Sequence, residues 1–296
     1  MVTKKAQSLL KNKIIRFYNS ERCHNDANIC GPNRTKLKNG DYFPPPYPYV
    51  GDNYESPNLE GKELPKIFFL SINQNLSGEE NVSEKEARWS LYPKDVKNLG
   101  SHWYGPLDLC VSLANIAFSL VLGNIRKIDN EEIMKNIAYS NCVRCANTEA
   151  IRRAPTPKMR EQCEKFTKFE IETLMPELIF CIGRDPFRQI KKIYNRKVED
   201  LIEDFVFRIE EKDKEIKVIY FYHYGNQESI NAGRKLINLF AEFNDDAKKV
   251  IEDVDRKVTK YKTHGIWRED SYVYNDFAKY YSVKIIENSV GANRIN

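Results

Sequence analysis

Four short apolar runs decide what this chain can fold into. They are residues 66–72 (KIFFLSI), Ile137–Val143 (IAYSNCV), 177–182 (ELIFCI) and 216–222 (IKVIYFY). Each has the length of a strand and is apolar at successive rather than alternate positions. That pattern belongs to strands buried on both faces, as in a parallel sheet with helices packed against it. Helix-like segments separate the runs. The stretch 107–122 is apolar almost all round, as a buried helix would be. A second helix is expected to start at Pro157, where the missing N–H costs nothing, and to end before Pro176. Asp185-Pro186 starts a third, to Tyr194. The predicted fold is α/β: a three-layer α/β/α domain with a central four-stranded parallel sheet.

Open parallel sheets place their chemistry at the carboxyl ends of the strands. The first run opens into Asn73-Gln74-Asn75 and the second delivers Asn141 and Cys145. The third stops at Gly183, and the fourth delivers His223-Tyr224-Gly225.

Around this frame, residues 1–20 have the spacing of an amphipathic helix with a basic outer face. Residues 40–65, rich in Pro, Gly, Tyr and Asn, read as an extended loop. Residues 129–136 read as a short helical turn, and 203–217, with alternating charged and apolar groups, as a hairpin or insertion. The tail, 244–296, is a charged, then aromatic, extension with no assigned role. The whole, 1–296, is read as one domain.

Charge narrows the partners. Residues 1–40 hold nine Lys/Arg against two acids, while the whole chain nets +5, so the remainder is slightly acidic. A basic arm on a near-neutral body suits contact with a phosphate backbone. No run of apolar residues is long enough to span a membrane. The N-terminus lacks the pattern of a secretory leader, so the expected location is intracellular: cytoplasm, nucleoid or nucleus. Seven cysteines there point to metal or cluster ligands where they are grouped, and to core packing where they are scattered. Cys23 and Cys30 form a C-x6-C able to chelate one centre from a loop.

The segment 136–184 resembles the iron–sulfur uracil-DNA glycosylases. The likeness is carried by Asn141-Cys142-Val143-Arg144-Cys145, then Arg153-Ala154-Pro155-Thr156-Pro157, then Cys163, and finally Ile182-Gly183-Arg184. Ser71-Ile72-Asn73 falls where that family has its first motif, in a form close to its Ile-Asn-Pro variant. His223 falls on the His of its second. Gln74, Tyr224 and Gly225 depart from the usual prolines and serine.

The resemblance implies a hydrolase that flips uracil, or a related deaminated base, out of DNA and cuts its N-glycosidic bond in base-excision repair. Asn141 would read the base edge, since a side-chain amide offers one donor and one acceptor. Trp103 or Tyr104 would stack on the flipped ring. His223 would donate to the departing base's oxygen. Asn73 would position the water, though an amide cannot deprotonate it. Cys23, Cys30, Cys145 and Cys163 would hold a [4Fe–4S] cluster with a structural role; four thiolates suit zinc as well. Cys142 is the rival to Cys145 for that place, while Cys110 and Cys181 read as core. Arg144, Arg152, Arg153 and Lys158 would touch the DNA backbone. The expected state is a monomer bound to DNA, without a membrane. Two rivals stay open: a degenerate member of the same fold that binds DNA or a modified base without cleaving it, and a zinc-stabilised hydrolase of small nucleosides.

Overall fold

The computed structural model describes residues 4–21, 44–73, 83–89, 91–93, 96, 106–122, 128–144, 157–195 and 206–221. The elements run α1 (Lys4–Ser20), β1 (Tyr49–Val50), β2 (Asn58–Leu59), β3 (Lys62–Glu63), β4 (Ile67–Asn73), α2 (Glu84–Arg88), α3 (Pro106–Leu122) and α4 (Asn130–Lys135). There follow β5 (Ile137–Val143), α5 (Pro157–Leu174), β6 (Leu178–Ile182), α6 (Arg184–Ile193), β7 (Val206–Glu211) and β8 (Lys214–Phe221).

The fold is mixed α/β around a mostly parallel sheet of order β1-β5-β4-β6-β8-β7. The four inner strands are parallel and are the four apolar runs of the sequence. All seven residues of β5 and all five of β6 are buried, which is why neither run alternates. In chain order the inner strands lie 2-1-3-4, so β4 is central and the connection from β5 to β6 crosses back over it. Gly183, at φ 104, turns the end of β6 into α6 through a conformation that side-chain-bearing residues resist.

The two edges are antiparallel. β7 and β8 form the hairpin suggested by residues 203–217, closed by Lys212 and Asp213 at φ 49 and 61, the left-handed pair of a type I′ turn. The reading of 40–65 as unstructured loop is corrected. Tyr49 and Val50 pair with Tyr139 and Ala138 of β5, and β2 and β3 form a small two-stranded sheet. At Gly51 an added Cβ would sit 2.3 Å from the Lys135 carbonyl oxygen, so only glycine lets the chain lie this close.

One face of the sheet carries α5 and α6. Met159, Cys163, Phe166, Thr167, Glu170, Ile171 and Leu174 are the buried stripe of α5, at helical spacing. Phe187 of α6 meets Tyr220 of β8 edge-on, with 5.5 Å between ring centroids. α1 lies outside α5. Phe17 stacks on Phe169 with centroids 3.7 Å apart, and Tyr18 packs against Phe166.

By packing, the chain divides into two compact units. One comprises Met1–Val96, Met134–Glu199 and Val206–Phe221, and the other Lys97–Ile133, Asp200–Phe205 and Tyr222–Asn296. The sheet, α1, α5 and α6 belong to the first. In the second, α3 buries Cys110, Val111, Leu113, Ala114, Ala117, Phe118 and Val121, as its apolar sequence predicts. Among the described residues no helix is long and apolar enough to cross a membrane.

Candidate functional site

β5 organises the site because its side chains alternate between the two faces of the sheet. Ser140 points toward α5 and donates to Glu170 Oε1 at 2.9 Å. Asn141, the next residue, points the other way. It is 1% exposed, and its Oδ1 accepts the Tyr139 hydroxyl at 3.1 Å, while its Nδ2 has no hydrogen-bond partner. Its register partner across the parallel ladder is Ser71 of β4, also 1% exposed, whose Oγ has no partner either. Leaving a buried donor unsatisfied costs about 1–3 kcal/mol. Two such groups on neighbouring strands and on one face form a cluster that local folding does not explain.

Asn73 ends β4 and pairs in register with Val143, two residues beyond the Ser71–Asn141 pair toward the carboxyl end of the sheet. This is the edge at which parallel sheets bind ligands. The predicted residues His223, Trp103, Tyr104, Arg152, Arg153, Cys23, Cys30 and Cys145 lie outside the described residues. Lys158 is exposed in the first turn of α5.

The reading of Arg144 as a phosphate contact is corrected. The residue is 0% exposed, and its Nη2 pairs with Glu170 Oε2, equally buried. Glu170 accepts hydrogen bonds from Arg144, Ser140 and the Tyr18 hydroxyl of α1, and it donates none. Burial raises its carboxyl above the ordinary range, and Arg144 pulls it back down. Burial likewise lifts the Tyr18 phenol well above 10. The network continues through Thr167 Oγ1, which donates to Gln189 Oε1 at 2.9 Å, and Gln189 Nε2 donates to the Cys142 carbonyl at 3.1 Å. Arg144 Nε and Nη1 are buried without an acceptor. An exposed loop arginine is the ordinary outcome at a strand end. Here Arg144 turns inward because α5 presents a carboxylate to it.

Sequence reasoning missed Glu170, Tyr18, Tyr139 and Ser71. For Glu170 a signal existed: it is the one acid on the apolar stripe of α5, seven residues after Cys163. Tyr139 and Ser71 carry no such mark, because Tyr and Ser are ordinary in a buried strand.

Cys163 is 1% exposed, and its Sγ accepts the backbone N–H of Arg144 at 3.4 Å. Arg144 is the residue immediately before Cys145, so the expected ligand on α5 sits against the chain that leads to another. A sulfur already accepting an N–H suits a thiolate ligand. Cys142 differs: its thiol donates to the Ile72 carbonyl at 3.1 Å, and burial pushes its pKa well above 9. That is a protonated thiol, whereas ligation needs a thiolate. Cys110 and Cys181 are buried. Among the described residues, no three His, Cys, Asp or Glu side chains converge to hold a metal ion.

No protein-family model matches the chain, and no curated protein matches it.

Proposed function

We propose that this chain is a DNA glycosylase of the uracil class, built as a three-layer α/β/α domain around the parallel sheet. The single observation that carries the reading is the Asn141 amide, buried on the sheet with one face of its hydrogen-bonding capacity unused. A base edge supplies what it lacks. The 2-1-3-4 order of the inner strands and the position of Asn73 at the end of β4 agree with this reading.

In the proposed reaction Asn141 reads the flipped base, and Trp103 or Tyr104 covers its ring. Asn73 holds a water at the sugar carbon without taking its proton. His223 donates to the base oxygen as the glycosidic bond breaks, which lowers the charge on the leaving anion. Cys23, Cys30, Cys145 and Cys163 would hold a [4Fe–4S] cluster, which supplies a structural tie and no redox step. Arg152, Arg153 and Lys158 are the proposed phosphate contacts; Arg144 instead steadies the base of that loop from inside. The place of action would be wherever the cell keeps its DNA, with the protein acting as a monomer.

A second reading keeps the fold and the base pocket but not the cleavage. It is favoured by Asn73, which has no charged form to stabilise the sugar cation. Base release from a uracil-containing oligonucleotide by anaerobically purified protein, with iron assayed on the same sample, separates the two. An abasic product supports the enzyme. Binding without product, on single- and double-stranded substrate alike, supports the binder.

A further inference from the structure

Tyr139, Asn141 and Ser71 share one face of the sheet. Tyr139 and Asn141 are two apart on β5, and Ser71 faces Asn141 across the ladder. Phe69, the register partner of Tyr139, stacks on Phe180 with centroids 5.2 Å apart and continues the row as an apolar floor. All five side chains are buried. Hydrogen bonds made in such a setting are strong, and mismatched ones are correspondingly costly.

Within this row the amide of Asn141 is the only group whose orientation matters. A hydroxyl such as Ser71 rotates its proton to donate or accept as the ligand requires. An amide presents either N–H or C=O, according to which way it is turned. Tyr139 gives its hydroxyl proton to Asn141 Oδ1. Turning the amide over would set Nδ2–H against that proton, donor facing donor. The phenol therefore holds Nδ2 outward as a fixed donor.

We infer that Tyr139 is a positioning residue that sets ligand choice: it turns Asn141 so that, with Ser71, the row accepts a ring edge carrying a carbonyl beside an N–H and refuses one carrying an amino group beside a bare nitrogen. The inference rests on the base-binding reading of Asn141 and adds the device behind its selectivity. Nδ2–H donates to the ring carbonyl, and Ser71 Oγ accepts the ring N–H. An amino-bearing ring would bring N–H against N–H at Asn141, and the Ser71 hydroxyl would adapt without helping. Discrimination then belongs to Tyr139 and affinity to Ser71.

The test uses the full chain with 1-methyluracil and 1-methylcytosine, whose methyl groups stand where the sugar would attach. Their binding is measured by calorimetry for wild type, Tyr139→Phe and Ser71→Ala. The wild type is expected to prefer 1-methyluracil by roughly tenfold or more. Tyr139→Phe should bring the ratio close to one, while Ser71→Ala should weaken both ligands and keep the ratio. In the wild type alone, the Asn141 side-chain amide resonances should shift with 1-methyluracil and stay in place with 1-methylcytosine. That readout does not depend on any variant folding. An unchanged ratio in Tyr139→Phe overturns the inference, as does a wild type that binds neither ligand or both equally. Base release is scored on the same samples. Discrimination without release leaves this inference standing and removes the glycosylase reading; release with an unchanged Tyr139→Phe ratio does the reverse.

Discussion

Arg144 and Glu170 form an ion pair in which neither side chain reaches water. Arg144 follows β5 and Glu170 lies on α5, so the pair clamps the end of the strand to the helix beside it. Tyr18 adds a third element, because its hydroxyl donates to the same carboxylate from α1. One buried anion thus ties strand, helix and N-terminal helix together.

Breaking that pair on one side should be costly. Glu170→Gln leaves the guanidinium buried without a counter-charge, and a loss of about 3–5 kcal/mol is expected. Arg144→Met/Glu170→Leu removes both charges, along with the two guanidinium nitrogens that already lack acceptors. The double variant should lose much less than Glu170→Gln. Urea denaturation of both proteins checks the order. Equal losses would mean that the pair's charge is not what holds α5 to β5.

Alkali should unfold the protein through its buried phenols. Burial raises Tyr18 and Tyr54 well above 10, and lifts Tyr92 and Tyr220 to about 12. A raised folded pKa gives stability that is complete below the unfolded value, near 10, and is lost as pH rises toward the folded one. Stability should therefore hold from neutral pH to about 10 and fall between about 10 and 12. Phenolate absorbance at equilibrium checks this, because these tyrosines should ionise with the unfolding transition and not before it.

Much of this was readable from the residues. The four inner strands announce themselves because burial on both faces leaves no polar position to blur them. Pro157 and the spacing from Met159 to Leu174 mark α5 equally well. The edge strand Tyr49–Val50 does not show, because two residues amid prolines are held by the backbone of β5 and not by any pattern of their own. Arg144 was misread because strand-end arginines usually face water. Its inward turn depends on Glu170, 26 residues later in the chain, and no local signal links the two. Asn141 was legible as a candidate, whereas its idle Nδ2 and the neighbouring Ser71 depend on the register of β4 against β5.

Asn141→Ala separates function from stability. The lost Nδ2 makes no hydrogen bond, so the variant's urea midpoint should shift by no more than the bond to Tyr139 is worth, about 1 kcal/mol. Base release should fall by about 100-fold or more, with duplex binding retained. Activity kept at the wild-type level would remove Asn141 from the site.

Cys163→Ser checks the ligand set. Protein purified anaerobically should lose most of its iron and the associated brown colour. Cys142→Ser should keep both, since the Cys142 thiol is occupied with the Ile72 carbonyl. Iron unchanged in Cys163→Ser would leave that residue a core cysteine.

Ser140 and Asn141 are consecutive, yet one is committed to the Glu170 network and the other is left unspent. A slip of β5 by one residue would exchange their faces. Asn141 would then stand before the carboxylate, and the Ser140 hydroxyl would take the open position. The ion-pair network thus works as a checksum on the strand. Any chain that folds with Glu170 satisfied has, by the same alignment, already aimed its amide outward.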